Sequence, residues 1–383
     1  MTEVVEITGV ANGGDGVCRI DGRVCFVPYA LPGDRLRIDV ASASRGVLRG
    51  AVVEVLEPSE HRSEPACGVF GLCGGCTWLH FDYPAQAEWK RRIVSDCFER
   101  IGKLSVDVDW LDDPSLRTGY RTRATFRPGE EGWGFFAGKS HEVVPIEECP
   151  LCHPRLNVAL NVLRNSDRVG PVDVTVNPEG EEILVWTEDN DAALLEHFPM
   201  ANSRAGESER SVFEIDGVPV VNGTFSQGSL LLNRILVQHV RDLIGDASSL
   251  LDLYCGSGNL SRALTSDMRV LGVDRDSAAV GAAVSEGGGE YHAVAEEGFS
   301  PWIARENWDV VVLDPPRLGA KRIVPSLAKC SAEAIVYVSC DPGTLARDAA
   351  GLVNEGWRID TVTAVDMFPH TAHVEAVCHF RRG

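Results

Sequence analysis

The chain has 383 residues, 44% of them hydrophobic, enough to build the buried cores of two or three domains. Its formal net charge of −20 excludes loose, charge-driven attachment to nucleic acid, because phosphate contacts need local Lys and Arg. The opening MTEVVEITGV carries acids and no basic stretch, and nowhere do about 18 apolar residues run together, so neither export nor membrane insertion is expected and a cytoplasmic location follows by default.

Residues 1–58 alternate in strand fashion (VVEI, VCRI, VCFVPYA, RLRIDV, VLRGAVVEVL), with Asp21-Gly22 as a hairpin turn. Five short strands with glycine-rich turns predict a small OB-like barrel, an architecture that binds oligonucleotides. Up to residue 57 it carries eight acids against six arginines, so any such contact is local.

Residues 59–221 read as a small mixed α+β domain. It opens on a cysteine-bearing loop, CGVFGLCGGC (67–76), followed by an amphipathic helix over 84–102. Twelve cysteines in a chain with no export signal point to metal or catalysis, since a reducing cytosol keeps thiols free. Basic residues gather at Lys90-Arg91-Arg92 and at Arg117, Arg121, Arg123 and Arg127, whereas acids gather in 179–191 and 207–214, read as a solvated face. The polar stretch 201–211 predicts an exposed loop.

From residue 222 to 383 helical stretches alternate with wholly apolar runs (SLLDLY, RVLGVD, DVVVLD, AIVYVS), the pattern of an α/β domain whose parallel sheet is covered on both faces. Ligands in such sheets sit over the C-terminal strand ends. There the turn Gly256-Ser257-Gly258 follows Asp252 and precedes a helix expected from about Leu260; Asp274, 22 residues beyond Asp252, ends the next strand, where an acid can accept hydrogen bonds from both ribose hydroxyls. The turn lacks the third glycine of GxGxxG and the Lys-Ser/Thr of a P-loop, so a pyrophosphate is not indicated and S-adenosylmethionine fits better than NAD. A tight turn without a ligand is the alternative.

In IVYVSCDPGTLARD (335–348), Cys340 stands where a strand ends and a Pro-Gly turn feeds a helix, whose dipole is expected to lower the thiol pKa. Such a thiolate suits pyrimidine chemistry. Adding it to carbon 6 of uracil makes carbon 5 nucleophilic toward a sulfonium methyl group, after which a base must remove the carbon 5 proton. Glu375, in HVEAV, suits that role; His370 and His373 either relay a proton or are structural. The bland readings are a small buried cysteine and a surface glutamate. Asp314 of DPPR belongs beside the target base, and Arg317 occupies the place where amino-group methyltransferases carry an aromatic residue, which disfavours adenine chemistry.

These residues resemble the RNA uracil-C5 (5-methyluridine) methyltransferase family, in its ribosomal-RNA branch with a TRAM domain and an iron-sulfur cluster. The likeness covers nearly the whole chain, through VPYALPGD, C-x5-CGGC, the Cys-Pro at 149–150, the F-x-Q at 225–227, DLYCGSGNL, DPPR, SCDPGTLARD and FPHTAHVE. It implies a Rossmann-like class I S-adenosylmethionine-dependent catalytic domain behind a TRAM barrel, attack by Cys340 and proton removal by Glu375. Gln227, Tyr254, Gly256, Asn259, Asp274 and Asp314 would surround the cofactor, with Tyr254 packed on it. Val294 stands where the family carries a polar residue that meets adenine. The resemblance also implies that Cys67, Cys73, Cys76 and Cys149 hold a structural [4Fe-4S] cluster, whereas spacing alone pairs Cys73 and Cys76 with Cys149 and Cys152 as a zinc site. The expected partner is RNA, ribosomal ahead of transfer, met as an unpaired or flipped base by a monomeric protein. A non-catalytic iron-sulfur RNA-binding protein is the alternative from another class. Cytosine-5 methylation is a weaker one, because RNA cytosine enzymes carry a cysteine near the DPP loop and none stands there.

Overall fold

The computed structural model describes residues 2–42, 46–167, 170–189, 192–206, 209–285 and 288–383. The N-terminal barrel is a six-stranded sheet, one strand more than expected, because the first stretch splits into Thr2–Glu6 and Gly9–Val10. Asp21 and Gly22 both take positive φ (49° and 77°), the two-residue turn whose twist matches the strands it joins, Gly16–Ile20 and Arg23–Val27. Alternation puts Val5, Cys18, Cys25, Val27, Leu36 and Ile38 inside. The barrel is tied to the central region by buried Asp34, which accepts from the Ser59 amide at 2.9 Å and from Arg62 at 2.7 Å.

The predicted helix is α-helical over Tyr83–Cys97 and closes in a π-turn, Phe98–Gly102. Asp82 caps it by accepting from the Ala85 amide, and Pro84 fits its first turn. Its buried face (Gln86, Lys90, Ile93, Val94) turns to the C-terminal half, where Gly102 comes so close to the Ala346 carbonyl that a Cβ would lie 2.8 Å from it. Six central strands form a sheet in the order Val143–Pro145, Gly132–Phe136, Arg123–Gly129, Val172–Val176, Ile183–Thr187 and Met200–Ser203, packed on helix Pro154–Arg164, and Val212–Ile215 and Val218–Val221 pair as a separate hairpin. The expected loop 201–211 therefore begins as a strand, because Met200–Ser203 finds a parallel partner in Ile183–Thr187. Residues 207 and 208 of that stretch, like 190 and 191 of the first acidic run, lie outside the described residues.

The C-terminal sheet has eight strands in the order Glu290–Ala293, Arg269–Asp274, Ser249–Leu253, Val310–Leu313, Ala334–Ser339, Glu375–Arg382, Trp357–Val365 and Asp109–Leu111. The first five are parallel, and Glu375–Arg382 runs antiparallel to both its neighbours. Strands Ser249–Leu253, Val310–Leu313 and Ala334–Ser339 are buried at every position, as continuous apolar runs between two helical layers must be. The helix expected from about Leu260 does not form; a 3-10 turn, Arg262–Leu264, takes its place. Tertiary bonds compete with a helix there: the Arg262 guanidinium donates to Gly217 and Ala283 carbonyls, and Ser261 meets Tyr291. Among the described residues no helix is long and apolar enough to cross a membrane.

Candidate active site and cysteine cavity

Strand pairing assembles the first part of the site. Ser339 pairs with Ala376 in an antiparallel register, so Cys340, one residue on, and Glu375, one residue back, stand opposite each other at the sheet's end. Asp341 caps helix Pro342–Asn354 through the Thr344 amide at 2.9 Å, which holds Cys340 just outside the helix. Asp314 follows the neighbouring strand Val310–Leu313, its amide bonded to the Leu253 carbonyl. Three acidic groups thus meet where little solvent reaches. Burial, then the Asp314 charge, lifts Glu375 to about 8 against the pull of Arg317. Burial lifts Asp314 to about 7. Cys340 rises to about 11, by burial first and then through Glu375 and Asp314. The low thiol pKa expected from the helix dipole is therefore absent from the ligand-free protein, because desolvation and two acids outweigh the dipole. Arg317 is exposed, within electrostatic reach of Cys340, Glu375 and exposed His373. His370 is structural: its ring Nδ1 accepts from Gln86 at 3.1 Å and its amide donates to the same side chain at 2.9 Å.

The glycine turn builds the second part. Gly256 (φ 53°) and Gly258 (φ 88°) adopt the left-handed backbone that favours glycine, and a Cβ at Gly258 would sit 2.8 Å from that of Arg262. The Gly256 and Asp276 amides donate to the two carboxylate oxygens of Asp274 at 2.9 and 2.8 Å. A carboxylate offers about four lone-pair positions, which leaves room for a diol. Half-buried Tyr254 stands edge-on to Phe299 with centroids 5.0 Å apart; its hydroxyl has no hydrogen-bond partner within bonding geometry among the described residues, and burial first, then nearby Glu296, raises its pKa. Asn259 and Asn233 bond each other's amides at 2.7 and 3.1 Å. Gln227 is half-buried in the segment leading to helix Leu230–Ile244, near Phe225, which is 76% exposed. Val294 packs with Tyr254 against the core that contains Phe299, while its amide bonds the Asp274 carbonyl; the wall it offers an adenine is apolar.

Asp252 was not among the expected site residues. It is 1% exposed, and neither carboxyl oxygen has a hydrogen-bond partner among the described residues. Burial lifts it to about 7; nearby Ser261, which also meets the Tyr291 hydroxyl, pulls it down, while Asp314 and Asp274 push it up. A buried carboxylate left without a partner is costly unless it takes up a proton or a cation joins it. With the unpartnered Tyr254 hydroxyl and the free positions on Asp274, it fits a ligand that carries both a ribose diol and positive charge. The sequence signal was present: Asp252 is the one charged residue in a strand buried on both faces.

The third part is a cavity of about 50 Å³ lined by Cys67, Cys73, Cys76 and Cys149 among apolar walls such as Phe70 and Phe135, with Arg121 also lining it. Burial raises Cys73 and lifts Cys76 to about 12, and the neighbouring thiols add to it. Cys149 falls to about 6, mainly through a hydrogen bond from the Cys152 thiol. Cys152 itself does not line the cavity. Among the described residues no three His, Cys, Asp or Glu side chains are close enough to share one metal ion. That spacing favours neither the [4Fe-4S] grouping of Cys67, Cys73, Cys76 and Cys149 nor the zinc grouping with Cys152.

Comparison with known proteins bears on the family and the fold. Residues 2–53 match the TRAM domain and residues 303–382 match the tRNA (uracil-5-)-methyltransferase family. A 23S rRNA (uracil-1939, C5)-methyltransferase of Thiobacillus denitrificans is 31% identical over 100% of both chains, and an uncharacterized RNA methyltransferase of Thermosynechococcus vestitus is 32% identical over 97% of this chain and 96% of its own. The fold is that of the Pyrococcus abyssi tRNA (uracil-54, C5)-methyltransferase, whose crystal structure contains S-adenosyl-L-homocysteine, with a TM-score of 0.78 at 24% identity over 99% of this chain and 100% of that one.

Proposed function

Because this chain belongs to the RNA uracil-C5 methyltransferase family, and so is an S-adenosylmethionine-dependent enzyme, we propose that it methylates carbon 5 of a uridine in 23S ribosomal RNA, with Cys340 as nucleophile and Glu375 as base. The observation that carries the reading is the antiparallel register that sets these two residues opposite each other beside Asp314. Bound at the glycine turn, S-adenosylmethionine would supply an electrophilic methyl group; Asp274 would take the ribose hydroxyls, with Gly256, Tyr254, Asn259, Gln227 and Asp314 around the rest. Cys340, once deprotonated, bonds to carbon 6 of the uracil, and the electron pair released to carbon 5 takes up the methyl group. Glu375, in its carboxylate form, then removes the carbon 5 proton. The pair from that C–H bond restores the double bond as the carbon–sulfur bond breaks and its pair leaves with sulfur, releasing the Cys340 thiolate while the proton stays on Glu375.

Ribosomal RNA is favoured over transfer RNA because the full-length likeness is to a 23S rRNA enzyme. A non-catalytic RNA-binding role is disfavoured, since Cys340 and Glu375 are both in place. Cys67, Cys73, Cys76 and Cys149 would hold a structural [4Fe-4S] cluster in the region that meets RNA. The domains are read as 1–58, 59–221 and 222–383, in a monomeric cytoplasmic protein. The test incubates anaerobically purified protein with methyl-labelled S-adenosylmethionine and unmodified ribosomal or transfer RNA, with Cys340→Ala alongside. Labelled 5-methyluridine from ribosomal RNA, absent in the variant, is expected; label confined to transfer RNA, or label retained by Cys340→Ala, rejects the reading.

A further inference from the structure

Glu375 opens its strand directly after an irregular stretch, 366–374. That stretch is held from outside the catalytic domain. The Lys90 ammonium, fully buried, donates to Asp366 at 2.7 Å and to the Phe368 carbonyl at 2.9 Å. The Tyr120 hydroxyl donates to the Pro369 carbonyl at 2.9 Å, and the Trp78 amide donates to the His370 carbonyl at 3.1 Å. Gln86 grips His370 at both ring and amide, and the Thr77 hydroxyl accepts from the Ala372 amide at 3.0 Å. His370 is kept at φ 64°, a strained conformation for a side-chain-bearing residue that persists only where its surroundings impose it.

From this geometry we infer that Thr77 and Gln86 are positioning residues for proton removal: the segment 77–90 is a strap that fixes the approach of Glu375 to carbon 5. The inference rests on the reading of Glu375 as the base. Thr77 directly follows Cys76, so the strap begins at the cysteine cavity, and whatever orders that loop also orders the base. None of these contacts touches the glycine turn or Cys340, so loosening the strap leaves cofactor binding and attack on carbon 6 unaffected and slows only the step that releases product. A displacement of about 1 Å can cost about 10²-fold in rate.

The test uses full-length Thr77→Val, which keeps the shape and loses the acceptor, Gln86→Ala, Thr77→Ser and Glu375→Gln. S-adenosylmethionine affinity, turnover on RNA and the covalent protein–RNA adduct retained on a denaturing gel are measured for each. Thr77→Val and Gln86→Ala are expected to turn over about 10²-fold more slowly, with unchanged cofactor affinity and more adduct than the parent; Thr77→Ser should behave as the parent. Adduct and turnover falling in parallel, or turnover unchanged, would overturn the strap. If Glu375→Gln accumulates no adduct while the parent turns over, the reading of the base fails instead.

Discussion

At the scale of single residues, burial raises the pKa of three acids in the site. Asp252 and Asp314 titrate at about 7 and Glu375 at about 8, against ordinary values of 3.8, 3.8 and 4.5. A group whose folded pKa lies above its unfolded one binds more protons when folded, so its contribution is complete below the unfolded value and is lost as pH rises through the folded one. The ligand-free protein should therefore melt at progressively lower temperature between about pH 5 and pH 8. Asp252→Asn, which stays neutral at all pH, should flatten that slope, as thermal melts across the range would show; an unchanged slope would mean that Asp252 finds a partner in solution. Positive charge beside Asp314 would offset its share of the rise in the Cys340 thiol pKa, which burial and Glu375 dominate.

At the scale of elements, strand register and one buried ion pair place the chemistry. Antiparallel insertion of Glu375–Arg382 next to Ala334–Ser339 brings together two residues 35 apart in sequence. The Lys90–Asp366 pair joins helix Tyr83–Cys97 to the stretch before Glu375 with both side chains fully buried, and Tyr83 adds a hydrogen bond at 2.7 Å. Removing the ammonium strands a buried carboxylate without its counter-charge. Lys90→Met should thus cost about 3–5 kcal/mol of stability, read by chemical denaturation. Lys90→Met combined with Asp366→Asn should recover part of it, because no charge is then stranded.

At the scale of the whole molecule, the two basic clusters in the sequence are largely absorbed by structure. Lys90 is buried, Arg91 donates to the Val108 carbonyl, Arg117 pairs with Asp112 and lies over Tyr83, Arg123 donates to the Thr224 carbonyl, and Arg127 covers Phe136. Arg121 and Arg317 instead border the cysteine cavity and the catalytic corner. For a protein of net charge −20, that leaves few basic side chains in these clusters free for phosphate contacts. If a cluster in the cysteine cavity shapes the surface that meets RNA, Cys73→Ala should lose colour together with RNA affinity or solubility while keeping its affinity for S-adenosylmethionine; a soluble, colourless and fully active variant would refute the idea.

Local chemistry made much of this legible in advance. Asp21-Gly22, the Gly256 turn, Cys340 ahead of a capped helix and the apolar strands are short-range patterns, each set by backbone geometry or by burial on two faces, so the sequence by itself determined the α/β catalytic fold, the glycine turn and the place of Cys340 at a strand end. Tertiary structure alone decided the rest. The 3-10 turn at Arg262–Leu264 replaces a helix because distant carbonyls at Gly217 and Ala283 claim the arginine. Cys67 lines the same cavity as Cys149 while Cys152 stays outside it, a placement that spacing does not reveal. The raised pKa of Cys340 follows from three groups remote in sequence sharing one desolvated corner, and the hold on Glu375 comes from a helix some 280 residues earlier. Spacing along the chain records local conformation; it carries no measure of which buried charges will meet.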